Sequence, residues 1–147
     1  MTETKKIFEA LMLESCSDVR SAKLLLDGAE FSRSIYHSQQ AIEKAMKASL
    51  ALTGAIITDD HWVSDRFLQA FHEMPGINNL IRESKYLERQ AIKSRYPLFT
   101  NPDKPIWIPS REYTYQDAND SYKKTITIVR NIIRFLKEKH GISFEIN

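Results

Sequence analysis

What the chain lacks narrows its class before any motif is read. Only 4 glycines and 5 prolines occur in 147 residues. That excludes collagen-like, low-complexity and disordered chains, and it disfavours turn-dense all-β folds, which need frequent Gly, Pro and Asn punctuation. One cysteine, Cys16, cannot form an internal disulfide. A reducing, cytoplasmic setting is therefore expected, and a lone Cys without a paired His reads as a small packed residue. Long apolar runs are missing and mean hydropathy is −0.41, so no membrane-spanning helix is expected. The opening MTETKKIFEALMLESC has charges on both sides of its short apolar stretch and no small-residue cleavage site, unlike a signal peptide. A dominant charge sign is missing too. The balance of 21 Lys and Arg against 19 Asp and Glu leaves +2, so any nucleic-acid site must be local. His37, His61, His72 and His140 show no ligand spacing such as His-x3-His, and neither a Gly-rich phosphate loop nor a Ser/His/Asp order is present. No metal and no cofactor are expected.

What is there is helical periodicity. With 42% hydrophobic and 27% charged residues the composition is that of a globular protein, and the length suits one domain over 1–147 with a sizeable core. At about 100° per residue, Phe8, Leu11, Met12, Val19, Ala22 and Leu26 form one stripe, predicting a helix over about 4–27 that breaks at Asp27-Gly28. A second helix, about 30–53, buries Phe31, Ile35, Ala41, Ile42, Ala45, Met46, Ala48, Ser49 and Leu52, and its small residues imply close approach of a neighbour. A short helix over about 61–73 and another over about 77–94 follow, divided by Pro75-Gly76. Residues 97–112 hold four of the five prolines and form a long loop, of the ordered kind that is often functional. The last helix, about 115–139, carries Ala118, Tyr122, Ile126, Val129, Ile133 and Leu136 as its stripe, with Thr125 and Ile132 on the edge. The tail 141–147 alternates apolar and polar residues and reads as a short strand or an ordered extension. Long helices joined by short loops give an all-α, antiparallel up-and-down bundle of four to five helices, with the Pro-rich loop before the last.

The second helix also has a polar side. Arg33, Tyr36, Gln40, Glu43, Lys44 and Lys47 fall within about 100° of one another. Cations can meet phosphate, a phenol ring can stack on a base and an amide can read a base edge. The alternative is a solvated face with Glu43–Lys47 as an ion pair one turn apart and Gln40–Lys44 beside it. On the last helix Lys123, Arg130, Arg134 and Lys137 share an outer face, which suits either a phosphate backbone or plain solvation. Trp107, in Lys104-Pro-Ile-Trp-Ile-Pro109, is expected to pack on the bundle or on a partner subunit, with base stacking as the alternative.

The run Ser34-Ile-Tyr36-His-Ser-Gln39-Gln40-Ala-Ile-Glu43-Lys44-Ala-Met-Lys47-Ala resembles the second-helix signature of HEPN domains (higher eukaryotes and prokaryotes nucleotide-binding). His61 stands where that family often has a histidine, and Ser94-Arg95-Tyr96-Pro97 looks like its Arg-Tyr-Pro segment. Tyr113 and Tyr115 with Gln116-Asp117-Ala118 resemble the approach to its last helix. These matches cover most of 7–139. The resemblance implies a helical bundle, usually a homodimer, with nucleotide or RNA as ligand; such small proteins resemble the partners of minimal nucleotidyltransferases in toxin–antitoxin pairs. Arg33, Tyr36, Gln40, Glu43, Lys44, Lys47, His61, Arg95 and Tyr96 are the binding residues it points to.

Ribonuclease members of that family carry Arg, four to six residues, then His, with His as general base on a 2′-hydroxyl and Arg on the scissile phosphate. Arg130-Asn131 matches the opening, yet Phe135, Leu136 and Lys137 stand where the histidine belongs. The bare spacing recurs in Arg134/His140 and Arg66/His72. A separation of six leaves such side chains about 120° apart on a helix, so convergence needs a chain end or a second subunit. Arg134 and His140 are thus the catalytic pair of an alternative, nuclease reading. A dimeric scaffold without catalysis is the third.

Overall fold

The computed structural model describes residues 2–57 and 62–144. Its helices are α1 (Glu3–Asp27), α2 (Phe31–Leu52), α3 (Val63–Ala70), α4 (Ile77–Arg95), the single turn α5 (Pro109–Glu112) and α6 (Tyr115–His140). The fold is all-α, as the periodicity predicts, and no strand is formed among the described residues beyond one isolated bridge, Leu98 to Trp107. Two boundaries differ from expectation. Helix α3 is shorter than 61–73 because Phe71 to Met74 leave the helix in tight turns before Gly76, at φ +75, opens α4. The Pro-rich loop is not bare either, since it contains α5, with Pro109 at a position whose missing N–H costs nothing.

Helix direction follows from residue pairing. Ser15 Oγ donates to Ala41 O at 2.6 Å and Ser34 Oγ to Ala22 O at 2.7 Å, so α1 and α2 are antiparallel and nearly in backbone contact. The small residues Ala41, Ala45 and Ala48, all fully buried, permit that approach. Helix α2 is the centre of the bundle, packing against α1, α3, α4 and α6. Thr125 Oγ1, fully buried on α6, donates to Ser38 O on α2 at 3.1 Å. The main core joins Phe8 and Met12 of α1, Ile42 and Met46 of α2, Phe67, Phe71, Leu80 and Leu87, and Val129, Ile132, Phe135 and Leu136 of α6. Ile142 and the ring of Phe144, edge-on to Phe8 at 6.1 Å, extend it, so residues 142–144 read as an ordered extension.

The stripe of α6 is rotated from the predicted one. Ile128, Ile132 and Phe135 are buried, while Tyr122, Ile126 and Ile133 are only partly covered. Three sides of α2 are already taken by α1, α3 and α4, so α6 docks with the edge that also carries Thr125. Its start is fixed by a capping box: Thr114 Oγ1 accepts from Asp117 N at 3.2 Å, and Asp117 Oδ2 accepts from Thr114 N at 2.9 Å. Thr114→Ala is expected to cost about 1 kcal/mol, read as a fall of roughly 3 °C in the thermal midpoint. An unchanged midpoint would show that packing alone sets the start of α6.

Candidate functional site

A strip of α2 remains open between α1 and α4, and it carries the polar side chains singled out above. From Arg33 to Lys47 it is about 20 Å long. Arg33 is exposed, whereas Tyr36, His37, Gln40 and Lys44 are half-buried. The face is therefore not simply solvated. Glu43 and Lys47 are each about nine-tenths covered and meet at 3.5 Å, the ion pair expected one turn apart. Gln40 does not pair with Lys44. Its Nε2 donates to Gln39 Oε1 at 2.9 Å, and Lys44 turns the other way.

Lys44 turns toward a residue the sequence reading passed over. Asp18 lies inside the buried side of α1, with its side chain 10% exposed. One carboxylate oxygen accepts from Lys44 Nζ at 2.5 Å, and the other faces His37 Nδ1 at 2.8 Å. A carboxylate so covered is retained only when paired, and two partners two turns apart on α2 supply that. The anchor fixes where Lys44 and His37 point, and it also offsets the lysine's charge. Among the described residues, the cations of the strip left without a carboxylate are Arg33, on α2, and Arg95, at the end of α4. The Arg95 guanidinium stands 5.5 Å from the centre of the Tyr36 ring, whose plane is edge-on to His37 at 5.4 Å. Arg33 Nη1 donates, at 3.5 Å, to Ser94 O beside it. One face of Tyr36 thus serves to seat Arg95. Tyr96, next in the chain, is 69% exposed. His61 lies outside the described residues.

The other spacing matches are placed apart. His140, at the C-terminal end of α6, packs its ring edge-on against Phe71 at 5.9 Å and Phe135 at 5.8 Å. Arg134 is exposed on the outer face with Lys123, Arg130 and Lys137. His72 is 80% exposed and faces Gln69 O and Glu73, while Arg66 sits exposed on α3. Neither pair forms a contact within one subunit among the described residues. Trp107 packs on the bundle, its indole N–H donating to Lys93 O at 2.9 Å and its ring edge-on to Tyr113 at 5.7 Å. Burial, helped by nearby Asp117, holds the Tyr113 phenol above its ordinary pKa, so it stays a neutral donor to Gln90 O at 3.2 Å.

Two open grooves flank α6. One, about 420 Å³, runs between α4 and α6 and includes Asn79, Glu83, Lys123 and Asn131. The other, about 450 Å³, runs between α1 and α6 over Val19, Leu24, Tyr122 and Ile126, with Arg20, Lys23 and Arg130 on its rim. Arg130 and Asn131 therefore face different grooves. No helix among the described residues is long and apolar enough to cross a membrane.

Comparison with known proteins bears on the family and the fold. Over 132 residues, 85% of each chain, the sequence is 38% identical to the protein of Methanocaldococcus jannaschii named "Putative toxin MJ1304". The crystal structure of TT1696 from Thermus thermophilus superposes with a TM-score of 0.68 at 22% identity, over 90% of this chain and 97% of that one, and so shares its fold. The HEPN domain profile matches residues 8–139. The chain belongs to the HEPN domain family.

Proposed function

We propose that the chain is a nucleotide- or RNA-binding HEPN module that acts as the toxin of a toxin–antitoxin pair, with a minimal nucleotidyltransferase as its partner. The observation that carries the binding is that Arg95 is seated on the Tyr36 ring while Arg33 donates to the carbonyl of Ser94, the residue before Arg95. Two guanidinium groups without carboxylate partners among the described residues offer forked donors to phosphate oxygens. Lys44 and His37, held by Asp18, border them, and Gln40, Glu43, Lys47 and Tyr96 complete the strip. The toxin role is supported by the relative of that description. The reading includes a homodimer, for which the apolar groove between α1 and α6 offers a surface.

The double change Arg33→Ala with Arg95→Ala is expected to weaken binding of a short RNA about tenfold at low salt. It should also flatten the dependence of log affinity on log salt by about 1.4, two phosphate contacts at about 0.7 each on a single strand. Calorimetry at two salt concentrations checks both, with RNA integrity followed in EDTA. Unchanged affinity in the folded variant rejects this strip as the site. RNA cleaved by the wild type but not by His140→Ala would transfer the function to the nuclease reading, with Arg134 and His140 meeting across subunits.

A further inference from the structure

The Pro-rich segment before α6 folds back on itself at its one antiparallel bridge, a short ribbon that the binding strip does not use. Leu98 and Trp107 exchange both backbone hydrogen bonds, each at 3.0 Å. That fixes an antiparallel register in which Phe99 stands opposite Ile106, and side chains alternate between the two faces of such a ribbon. Trp107 takes the inner face, through its bond to the Lys93 carbonyl and its contact with Tyr113. The next pair is therefore turned outward, and Phe99 is 70% exposed and Ile106 56%. Tyr96 stands exposed at the foot of the ribbon, directly after Arg95.

This platform is stiff and basic. Pro97, Pro102, Pro105 and Pro109 restrict its backbone, and Asn101 closes the tip by accepting from Asp103 N at 3.0 Å and Lys104 N at 3.2 Å. Over 93–112 the cations Lys93, Arg95, Lys104 and Arg111 outnumber the two acids, Asp103 and Glu112. All four cations are exposed, and among the described residues none has an ion-pair partner. An apolar protein segment would cover the rings and leave four charges unanswered, whereas a nucleic-acid strand brings π-faces and phosphates together.

We propose that the ribbon 97–107 is a stacking platform for single-stranded RNA, which leads a strand from the Phe99–Ile106 face onto Arg95 and Arg33. It deepens the nucleic-acid reading of the α2 strip and rests on it. The ligand class becomes a strand of several nucleotides rather than a mononucleotide. Ordered before binding, the ribbon gives up little conformational freedom when a base stacks on it.

The test uses fluorescein-labelled decauridylate in anisotropy titrations and ATP in calorimetry, with wild type, Phe99→Leu and Phe99→Trp. Position 99 is exposed, so these changes leave the core intact; matching thermal midpoints confirm it. Phe99→Leu keeps apolar bulk without an aromatic face and is expected to weaken decauridylate binding about 5-fold or more. Phe99→Trp should stay within about twofold of wild type, and ATP binding should be the same in all three. If Phe99→Leu binds decauridylate as wild type does while the Arg33/Arg95 double variant is impaired, the platform is rejected and the α2 site stands. Equal losses in the leucine and tryptophan variants also reject it, since they indicate a shape-specific protein contact. If the wild type binds neither ligand, the nucleic-acid reading fails, and the platform with it.

Discussion

Phe71→Ala is expected to lower stability by about 3–5 kcal/mol, the range for emptying a buried aromatic site. Phe71 is 2% exposed and lies where α3 and α6 end: its ring meets Phe67 at 4.9 Å, Phe135 at 5.9 Å and His140 at 5.9 Å. Its neighbours come from α3 and from the last turns of α6, so the cavity cannot close by shifting one side chain. For a chain of this length the thermal midpoint should fall by roughly 10–15 °C. A fall of only a few degrees would mean that α6 and α3 collapse onto each other without the ring. The same variant removes one wall against which His140 packs, so the His140 ring resonances in NMR should shift even where the rest of α6 is unchanged.

The second large effect concerns charge. Asp18→Asn keeps the shape of the side chain and removes its charge, leaving Lys44 without a counter-ion at a half-buried site. Breaking a buried pair typically costs about 3–5 kcal/mol. Lys44 and His37 keep about a third of their side-chain surface in contact with solvent, which screens the loss, so about 2–3 kcal/mol is expected from urea unfolding. Nucleic-acid affinity should move the other way, because the strip gains one uncompensated positive charge. An Asp18→Asn protein as stable as wild type would show that solvent already screens the pair. Loss of stability together with loss of RNA binding would instead make Asp18 the residue that orients Lys44 toward the ligand.

The contrast between Asp18 and the residues of α2 explains what the sequence made legible. Helix limits were readable because they are local. Gly28 and Gly141 follow helix ends, and Thr114 and Asp117 cap a start, each within a few residues of what it acts on. The apolar stripes of α1 and α2 were readable for the same reason. Asp18 was not, since a carboxylate among Ser15, Val19 and Ala22 acquires meaning only from partners 19 and 26 residues away on another helix. The seat of Arg95 on Tyr36 is likewise a product of tertiary packing. So is the Leu98–Trp107 bridge, where prolines hide any strand alternation. The rotation of α6 needed knowledge of which sides of α2 were already occupied.

The antiparallel pair α1 and α2 has a further consequence, for the order of assembly. Asp18, Arg33, Tyr36, His37 and Lys44 all belong to one helical hairpin whose contacts are short in sequence, and such contacts form early because little chain entropy is lost in closing them. During synthesis this hairpin is complete well before α4 leaves the ribosome. Arg95 and the ribbon behind it arrive later, with the Arg33–Ser94 contact closing a loop of 61 residues. Half of the binding strip is thus a product of local folding, and its other half is acquired only when the chain has closed on itself.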